Sequence, residues 1–171
     1  MIRVFLADDH AIVRAGLRRL LADTEDIVVV GEAGDGQTTL AALEQARADV
    51  LILDLNMPGT GGLEVLRAIR GLQIDIRVLV LTMYPEDQYA LRVFQAGGDG
   101  FLSKSTVSDE LILAIRRVAA DRKYVTEAVA EQLAQHLGAA DPQRPHASLS
   151  PRELQTLRLI AAGRSSGEIA R

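Results

Sequence analysis

Several polar side chains of this sequence come just after short apolar runs, at the point where each run ends. Asp8 and Asp9 follow the run VFLA, and Asp54 follows VLIL. Thr82 follows VLVL, and Lys104 comes two residues after GFL. If these runs are parallel strands of one sheet, their carboxyl ends meet at one edge, which is where open α/β sheets bind ligands. The sequence therefore predicts that three carboxylates, a hydroxyl and an ammonium group converge on one crevice.

The three carboxylates indicate a site for a hard divalent cation. Converging carboxylates raise one another's pKa unless a cation neutralises them. Mg²⁺ is the best match, because it binds through one or two carboxylates and leaves positions for water and phosphate oxygens. We expect Asp9 to be a direct ligand and Asp8 to act through water, with the backbone carbonyl of Asn56 as a further ligand beside Asp54.

Asp54 is the candidate nucleophile of this site. Its carboxylate oxygen can attack phosphorus and form an aspartyl-phosphate, while Thr82 and Lys104 would stabilise the equatorial oxygens of the transferred group. Each residue alone has a simpler explanation: Asp54 as a turn or helix-capping residue, Thr82 as a β-branched strand residue and Lys104 as a surface lysine. Their joint placement at strand ends favours the site.

The apolar runs alternate with segments of helical periodicity. The runs cover residues 4–7, 27–30, 50–53, 78–81 and 100–102, and the candidate helices cover about 11–22, 36–47, 62–70, 86–96 and 107–120. Because the runs are continuously apolar, both faces of the sheet must be covered by helices. The pattern predicts a doubly wound α/β domain with a five-stranded parallel sheet. Gly97 and Gly98 are predicted to end the fourth helix in the left-handed conformation.

Beyond the fifth helix the pattern changes. Residues 125–137 predict one more amphipathic helix with Thr126 as its cap. Residues 138–148 contain two prolines and have no periodicity, which is typical of a linker. The next stretch begins with a helix-start signal in which Ser150 is the N-cap and Pro151 the first helical residue.

Composition excludes several classes of function. The 171 residues include no cysteine and only three scattered histidines, which argues against a zinc site; we attribute His10 to surface packing. The formal net charge is −4, but residues 141–171 carry five arginines against three acids, so only that part is suited to nucleic acid. No apolar stretch approaches a membrane span and no signal-peptide pattern is present, so we expect a cytoplasmic location without membrane contact.

The motifs together resemble the receiver domain of two-component response regulators. They are DD at 8–9, LDLNMPGTGG around Asp54, LT at 81–82 and the lysine of GFLSK, and the likeness covers about residues 1–120. The stretch LSPRELQTLRLIAAGRSSGEIA resembles the opening of the LuxR-type helix-turn-helix, which points to the NarL/FixJ class. The resemblance implies a flavodoxin-like sheet of order 2-1-3-4-5.

The same resemblance assigns roles to the site. Asp54 would accept a phosphoryl group from a sensor histidine kinase, and the chain would form a homodimer on phosphorylation. Asp8, Asp9 and the Asn56 carbonyl would hold Mg²⁺, Thr82 and Lys104 would contact the phosphate, and Phe101 would be the aromatic switch position. Gly61 departs from the family pattern, which usually has a polar residue there, so the third helix loses a capping candidate.

The resemblance also divides the chain. We expect a receiver domain at 1–121, a linker helix and linker at 122–147, and an incomplete, all-α helix-turn-helix segment at 148–171. DNA recognition is therefore expected only of a full-length form, and a phosphate-switched protein-interaction module without DNA binding is the alternative. An aspartyl-phosphate phosphatase is disfavoured because Asn56 stands where such enzymes carry a second acid, so we expect no enzymatic turnover.

Overall fold

Strands and helices alternate along the chain as predicted. The structure, a computed structural model, describes residues 1–84, 86–106, 108–126 and 129–130, and for residues 86–88 it describes the backbone alone. The strands are β1 (Ile2–Ala7), β2 (Ile27–Ala33), β3 (Val50–Leu53), β4 (Arg77–Thr82) and β5 (Gly100–Ser103). The helices are α1 (Ala11–Ala22), α2 (Gly36–Ala46), α3 (Gly62–Gly71), α4 (Glu86–Gln95) and α5 (Ser108–Ala119).

The five strands form one parallel sheet in the order β2-β1-β3-β4-β5. This confirms the predicted fold class and strand order. The chain proceeds from β1 outward to β2 on one side, and then crosses back to β3 on the other. Ligands of open α/β sheets bind at such a reversal point, beyond the carboxyl ends of the strands.

The centre of the sheet is buried on both faces. All four residues of β3 are buried, as are the last four of β1. Leu17 and Leu21 of α1 join Leu111 and Ile115 of α5 in one apolar cluster against the sheet, while α2 and α3 contact each other. Each leucine or isoleucine so buried contributes roughly 2 kcal/mol to stability before the entropic cost of ordering it. Burial on both sides explains why the apolar runs are continuous.

Two local details differ from the sequence prediction. β2 runs three residues beyond the apolar run, because the register shifts between Val4 and Phe5 and Gly31 leaves room for the Phe5 ring; a Cβ on Gly31 would lie 2.6 Å from that ring. Gly97 has the predicted positive φ, of 92°. The prediction for Gly98 was wrong: a Cβ there would lie 2.5 Å from Val93 Cγ1, so this glycine permits close packing rather than a left-handed turn.

The helix predicted at 125–137 is described only at its beginning. Val129 N lies 3.5 Å from Thr126 Oγ1, and Ala130 N donates to the Thr126 carbonyl at 2.9 Å, as expected of a helix start. The rest of that helix, the linker at 138–148 and the segment at 148–171 lie outside the described residues. None of the helices in the described part of the chain combines the length and apolarity needed to cross a bilayer.

Candidate functional site

The sheet delivers four of the predicted residues to its carboxyl edge. Asp8 directly follows β1, Asp54 directly follows β3, Thr82 is the last residue of β4, and Lys104 comes just after β5. Backbone hydrogen bonds hold these positions in register: Asp54 N donates to the Ala7 carbonyl at 2.8 Å, and Lys104 N donates to the Thr82 carbonyl at 2.8 Å. The site residues are therefore fixed by the strands themselves.

Lys104 places one ammonium group between two buried carboxylates. Its Nζ lies 2.6 Å from Asp8 Oδ2 and 2.6 Å from Asp54 Oδ2. Asp8 is 3% exposed and Asp54 2% exposed. Burial by itself lowers the pKa of Lys104, but the hydrogen bonds and charges of Asp54 and Asp8 outweigh it, so this pKa is raised above its ordinary value. Lys104 is therefore an ammonium ion at neutral pH.

The carboxylates could also hold a metal ion. Ligand atoms of Asp8, Asp9, His10 and Asp54 all lie within 4.8 Å of one another. The cluster holds three carboxylates, and the ammonium group of Lys104 contacts two of them, so an excess of negative charge remains that a divalent cation would neutralise. Most of the donors are oxygens, the atoms that Mg²⁺ prefers. The donor set fits the predicted ion.

His10 belongs to this cluster more closely than surface packing implies. Its Nδ1 lies 2.6 Å from Asp9 Oδ1 and 3.3 Å from Asp8 Oδ1, and its backbone N donates to Asp8 Oδ1 at 2.8 Å. Asp9 and His10 are exposed, whereas Asp8 is buried. On the other side, the Asn56 amide N donates to Asp54 Oδ1 at 3.2 Å. The rim of the site is thus polar and open, and its floor is buried.

Thr82 and Phe101, the two predicted switch residues, are both completely buried. Thr82 Oγ1 accepts a hydrogen bond from Tyr84 N at 3.3 Å. Accepting that bond leaves the hydroxyl hydrogen of Thr82 able to be donated elsewhere. Phe101 lies in β5, one strand away from Asp54 across β4.

Tyr84 is a site residue that sequence reasoning missed. Its hydroxyl lies 3.4 Å from Asn56 Oδ1, and its ring stacks on Tyr89 with 4.4 Å between centroids and 18° between planes. The guanidinium carbon of Arg92 lies over the Tyr89 ring, 5.8 Å from its centroid. Tyr84 thus spans from the loop after β3 to α4. An aromatic residue two positions after a strand-end threonine was the available signal.

Gly62 is a second residue that was missed. A Cβ at this position would lie 2.1 Å from the Asp54 carbonyl oxygen and 2.8 Å from Leu55 Cα. Only glycine lets the beginning of α3 approach the backbone of Asp54 so closely. Gly61, the N-cap of α3, makes no side-chain capping bond, in agreement with the loss of a capping candidate. The signal for Gly62 was a glycine at the start of a helix, where a better helix former would normally be favoured.

The sequence that folds into this site matches a known family. The model of the response regulator receiver domain matches residues 4–116. The chain belongs to this family. The matched residues include nearly all of the sheet and its helices, and all of the predicted site residues. The predicted resemblance is confirmed.

Full-length relatives extend the likeness beyond the receiver. Response regulator UvrY of Escherichia coli strain K12 is 40% identical over 99% of this chain and 78% of its own length. Response regulator GacA of Pseudomonas aeruginosa is 42% identical over 94% of this chain and 76% of its own length. These identities confirm that this chain is a response regulator of a two-component system, of the NarL/FixJ type.

Solved structures agree with the fold. A response regulator of the LuxR family from Aurantimonas has a TM-score of 0.73 at 35% identity, over 80% of this chain and 97% of the other. A structure of RcsB from Salmonella typhimurium has a TM-score of 0.76 at 31% identity, over 99% of this chain and 82% of the other. The receiver architecture is thus shared with experimentally determined response regulators.

Proposed function

We propose that Asp54 is the residue of this response regulator that accepts the phosphoryl group. The observation that carries the proposal is the contact between its buried carboxylate and Lys104 Nζ at 2.6 Å, next to Asp8 at the reversal point of the sheet. A buried carboxylate at the end of a strand is held rigidly, and a carboxylate oxygen so placed can act as a nucleophile toward phosphorus.

Phosphoryl transfer then follows from the groups present. A carboxylate oxygen of Asp54 forms a bond to phosphorus as the bond from phosphorus to the donor breaks, and the electron pair of that bond leaves with the donor. Response regulators receive the group from histidine kinases, so the bond that breaks is to an imidazole nitrogen. Once one oxygen of Asp54 is esterified, its charge is lost, and Lys104 turns from it toward the phosphoryl oxygens.

We propose Asp9, Asp54 and the Asn56 carbonyl as direct ligands of Mg²⁺, with Asp8 acting through water. When bound, the ion supplies positive charge to the oxygens of the transferred group. Asp8 keeps its second role, because its Oδ2 accepts a hydrogen bond from Lys104 and so holds the ammonium group close to Asp54.

The output that we propose is control of transcription through DNA. Thr82 would donate its hydroxyl hydrogen to the new phosphoryl group, and Phe101 would repack in the space that opens, which favours a homodimer and DNA binding. RcsB from Salmonella has been solved bound to a promoter in the presence of the phosphomimetic BeF₃⁻, and that relative supports the proposal. We propose the receiver at 1–121, the linker at 122–147 and the helix-turn-helix segment at 148–171 as its parts.

Incubation with acetyl phosphate and MgCl₂, followed by intact mass measurement, tests the phosphoacceptor. We expect one phosphoryl adduct on the wild type and on Asp75→Asn, a control at an aspartate whose side chain is 94% exposed, and none on Asp54→Asn. An adduct of equal yield on Asp54→Asn would refute the assignment.

The output is tested by sedimentation and by electrophoretic mobility shift on promoter DNA, with and without acetyl phosphate. We expect the phosphorylated wild type to gain mass as a dimer and, in a full-length form with a complete helix-turn-helix, to bind DNA more tightly. We expect Asp54→Asn to do neither. A phosphorylation-dependent dimer that does not bind DNA would favour the protein-interaction alternative.

A further inference from the structure

Arg14 is an arginine on the inner face of α1. It lies three and seven residues before Leu17 and Leu21, the two buried leucines of that helix, and its side chain is only 17% exposed. Its Nε is buried without a hydrogen-bond partner. A long cationic side chain in such a place sacrifices hydration. The hydrogen bond made by the guanidinium end of Arg14 offers a reason for this position.

That contact is with the backbone of a site residue. Arg14 Nη1 donates to the Asp8 carbonyl oxygen at 2.5 Å. Asp8 is held at its other polar atoms as well: its N donates to the Ala33 carbonyl at 3.1 Å, Oδ1 accepts from His10 N at 2.8 Å, and Oδ2 meets Lys104. The Asp8 carbonyl belongs to the peptide group that joins Asp8 to Asp9. Arg14 therefore restrains the link between the two acids of the metal cluster.

The charge of Arg14 would act against metal binding, since a cation close to a metal site repels the metal. Glu32, at the end of β2, offsets that charge: its Oε2 lies 3.9 Å from Arg14 Nε and 3.5 Å from Arg18 Nε. Two arginines thus share one carboxylate, but the contact with Asp8 involves only Arg14. The hydrogen bond of Arg14 to a backbone carbonyl fixes geometry at short range, whereas its charge is partly neutralised by Glu32.

We propose that Arg14 is a positioning residue for the metal step, which fixes the Asp8–Asp9 peptide and thereby sets the affinity of the site for a divalent cation. This inference rests on the proposed function, because it takes the acidic cluster to be the Mg²⁺ site. Groups that orient metal ligands typically account for about ten- to hundredfold in affinity.

Calorimetric titration with MgCl₂ alone tests the inference on the wild type and on Arg14→Gln, Arg14→Lys and Arg18→Gln. We expect Arg14→Gln to bind Mg²⁺ about tenfold more weakly, Arg14→Lys to recover part of the loss, and Arg18→Gln to match the wild type. Arg18→Gln is the matched control, because it removes a partner of Glu32 without touching Asp8.

Phosphorylation rates at increasing MgCl₂ provide the second measurement. In Arg14→Gln the Mg²⁺ concentration for half-maximal rate should rise about tenfold, while the rate at saturating Mg²⁺ stays near that of the wild type. A merely structural residue would not separate these two quantities. If Arg14→Gln does not fold, Arg14→Lys carries the same comparison.

Three results would overturn the inference: unchanged Mg²⁺ affinity in the Arg14 variants, tighter binding in Arg14→Gln, which would show that charge repulsion dominates, or equal weakening in Arg18→Gln. Failure of the wild type to form an Asp54 adduct would instead refute the proposed function and this inference with it. The two failures are distinct, because only the second appears in the unmodified chain.

Discussion

Lys104 supplies the positive charge that two buried carboxylates need while no other cation is bound. Its removal leaves Asp8 and Asp54 facing each other in a buried pocket, and breaking a buried pair in this way costs about 3 kcal/mol or more. Divalent metal would then restore the missing charge. The lysine and the metal ion are thus partial substitutes for one another at the level of electrostatics.

We therefore expect Lys104→Met to lower the free energy of unfolding by about 3 kcal/mol without metal, and MgCl₂ to raise its melting temperature more than that of the wild type. Thermal unfolding with and without MgCl₂ measures both effects. Lys123→Met is the control, because Lys123 Nζ pairs with Asp99 at 2.8 Å, away from the cluster. Equal Mg²⁺-induced shifts in Lys104→Met and the wild type would contradict the expectation.

Tyr84 reaches Asn56, in the loop after β3, with its hydroxyl, and its ring is held by a stack on Tyr89. We expect Tyr84→Ala to shorten the lifetime of the aspartyl-phosphate several-fold, because loss of the ring admits water to the phosphorus. Tyr84→Phe keeps the stack and loses only the long 3.4 Å bond to Asn56, so its lifetime should stay near that of the wild type. Intact mass measured over time follows the decay of the adduct. An adduct that lasts as long on Tyr84→Ala as on Tyr84→Phe would exclude this role.

At the scale of elements, α3 begins against the backbone of Asp54, the proposed nucleophile. Gly62→Ala forces either α3 or Asp54 to move, because the added Cβ would lie 2.1 Å from the Asp54 carbonyl oxygen. We expect a loss of a few kcal/mol in stability and slower formation of the adduct. Gly71→Ala, at the other end of the same helix, meets no atom within 4 Å and should be neutral. Denaturant unfolding and adduct formation measure the pair; similar results for both variants would show that Gly62 has no special role.

The elements themselves were predictable, because central strands buried on both faces leave continuous apolar runs and helices leave their own period. Every predicted strand and helix of the described receiver is present, with bounds shifted by at most three residues. The extension of β2 through Gly31 and Glu32 was not predictable, since these residues do not favour strands and pair only because β1 shifts its register.

The site was predictable to the extent that it depends on strand ends. Asp8, Asp54, Thr82 and Lys104 each come directly at or after a strand, so a parallel sheet necessarily places them at one edge. Arg14 and Tyr84 could not be found in this way, because their contacts depend on which way a side chain turns between two elements. An arginine on the apolar face of α1 was nevertheless a visible irregularity.

At the scale of the whole molecule, α5 is tied to the segment before β2 by a bidentate ion pair. Arg116 Nε and Nη2 donate to the two carboxylate oxygens of Asp26 at 2.8 Å each. The hydrogen bond from Arg116 lowers the pKa of Asp26 below its ordinary value of 3.8. A lowered pKa in the folded state means that the pair stabilises the fold above that ordinary value, and that this contribution is lost as the pH falls below it.

We expect Asp26→Asn to melt slightly below the wild type at neutral pH and the difference to shrink at about pH 3, because below the ordinary pKa of 3.8 the Asp26 carboxylate of the unfolded wild type takes up a proton, which favours unfolding. The effect should be small, since the pair is half exposed and screened by salt. Melting temperatures at both pH values test this, with Asp23→Asn, a nearby exposed acid, as control. A difference that persists unchanged in acid would contradict it.

The order of the strands has a consequence for folding while the chain is being synthesised. Asp8 lies near the N-terminus, yet its partner Lys104 follows the last strand to leave the ribosome, and Asp54 meets both only when β1, β3 and β5 share one sheet. Contacts between residues so distant in sequence form slowly, because the entropy of loop closure has to be overcome first. A receiver synthesised only as far as β4 lacks Lys104, so on the proposed function we expect no phosphorylation of Asp54 before the sheet is complete.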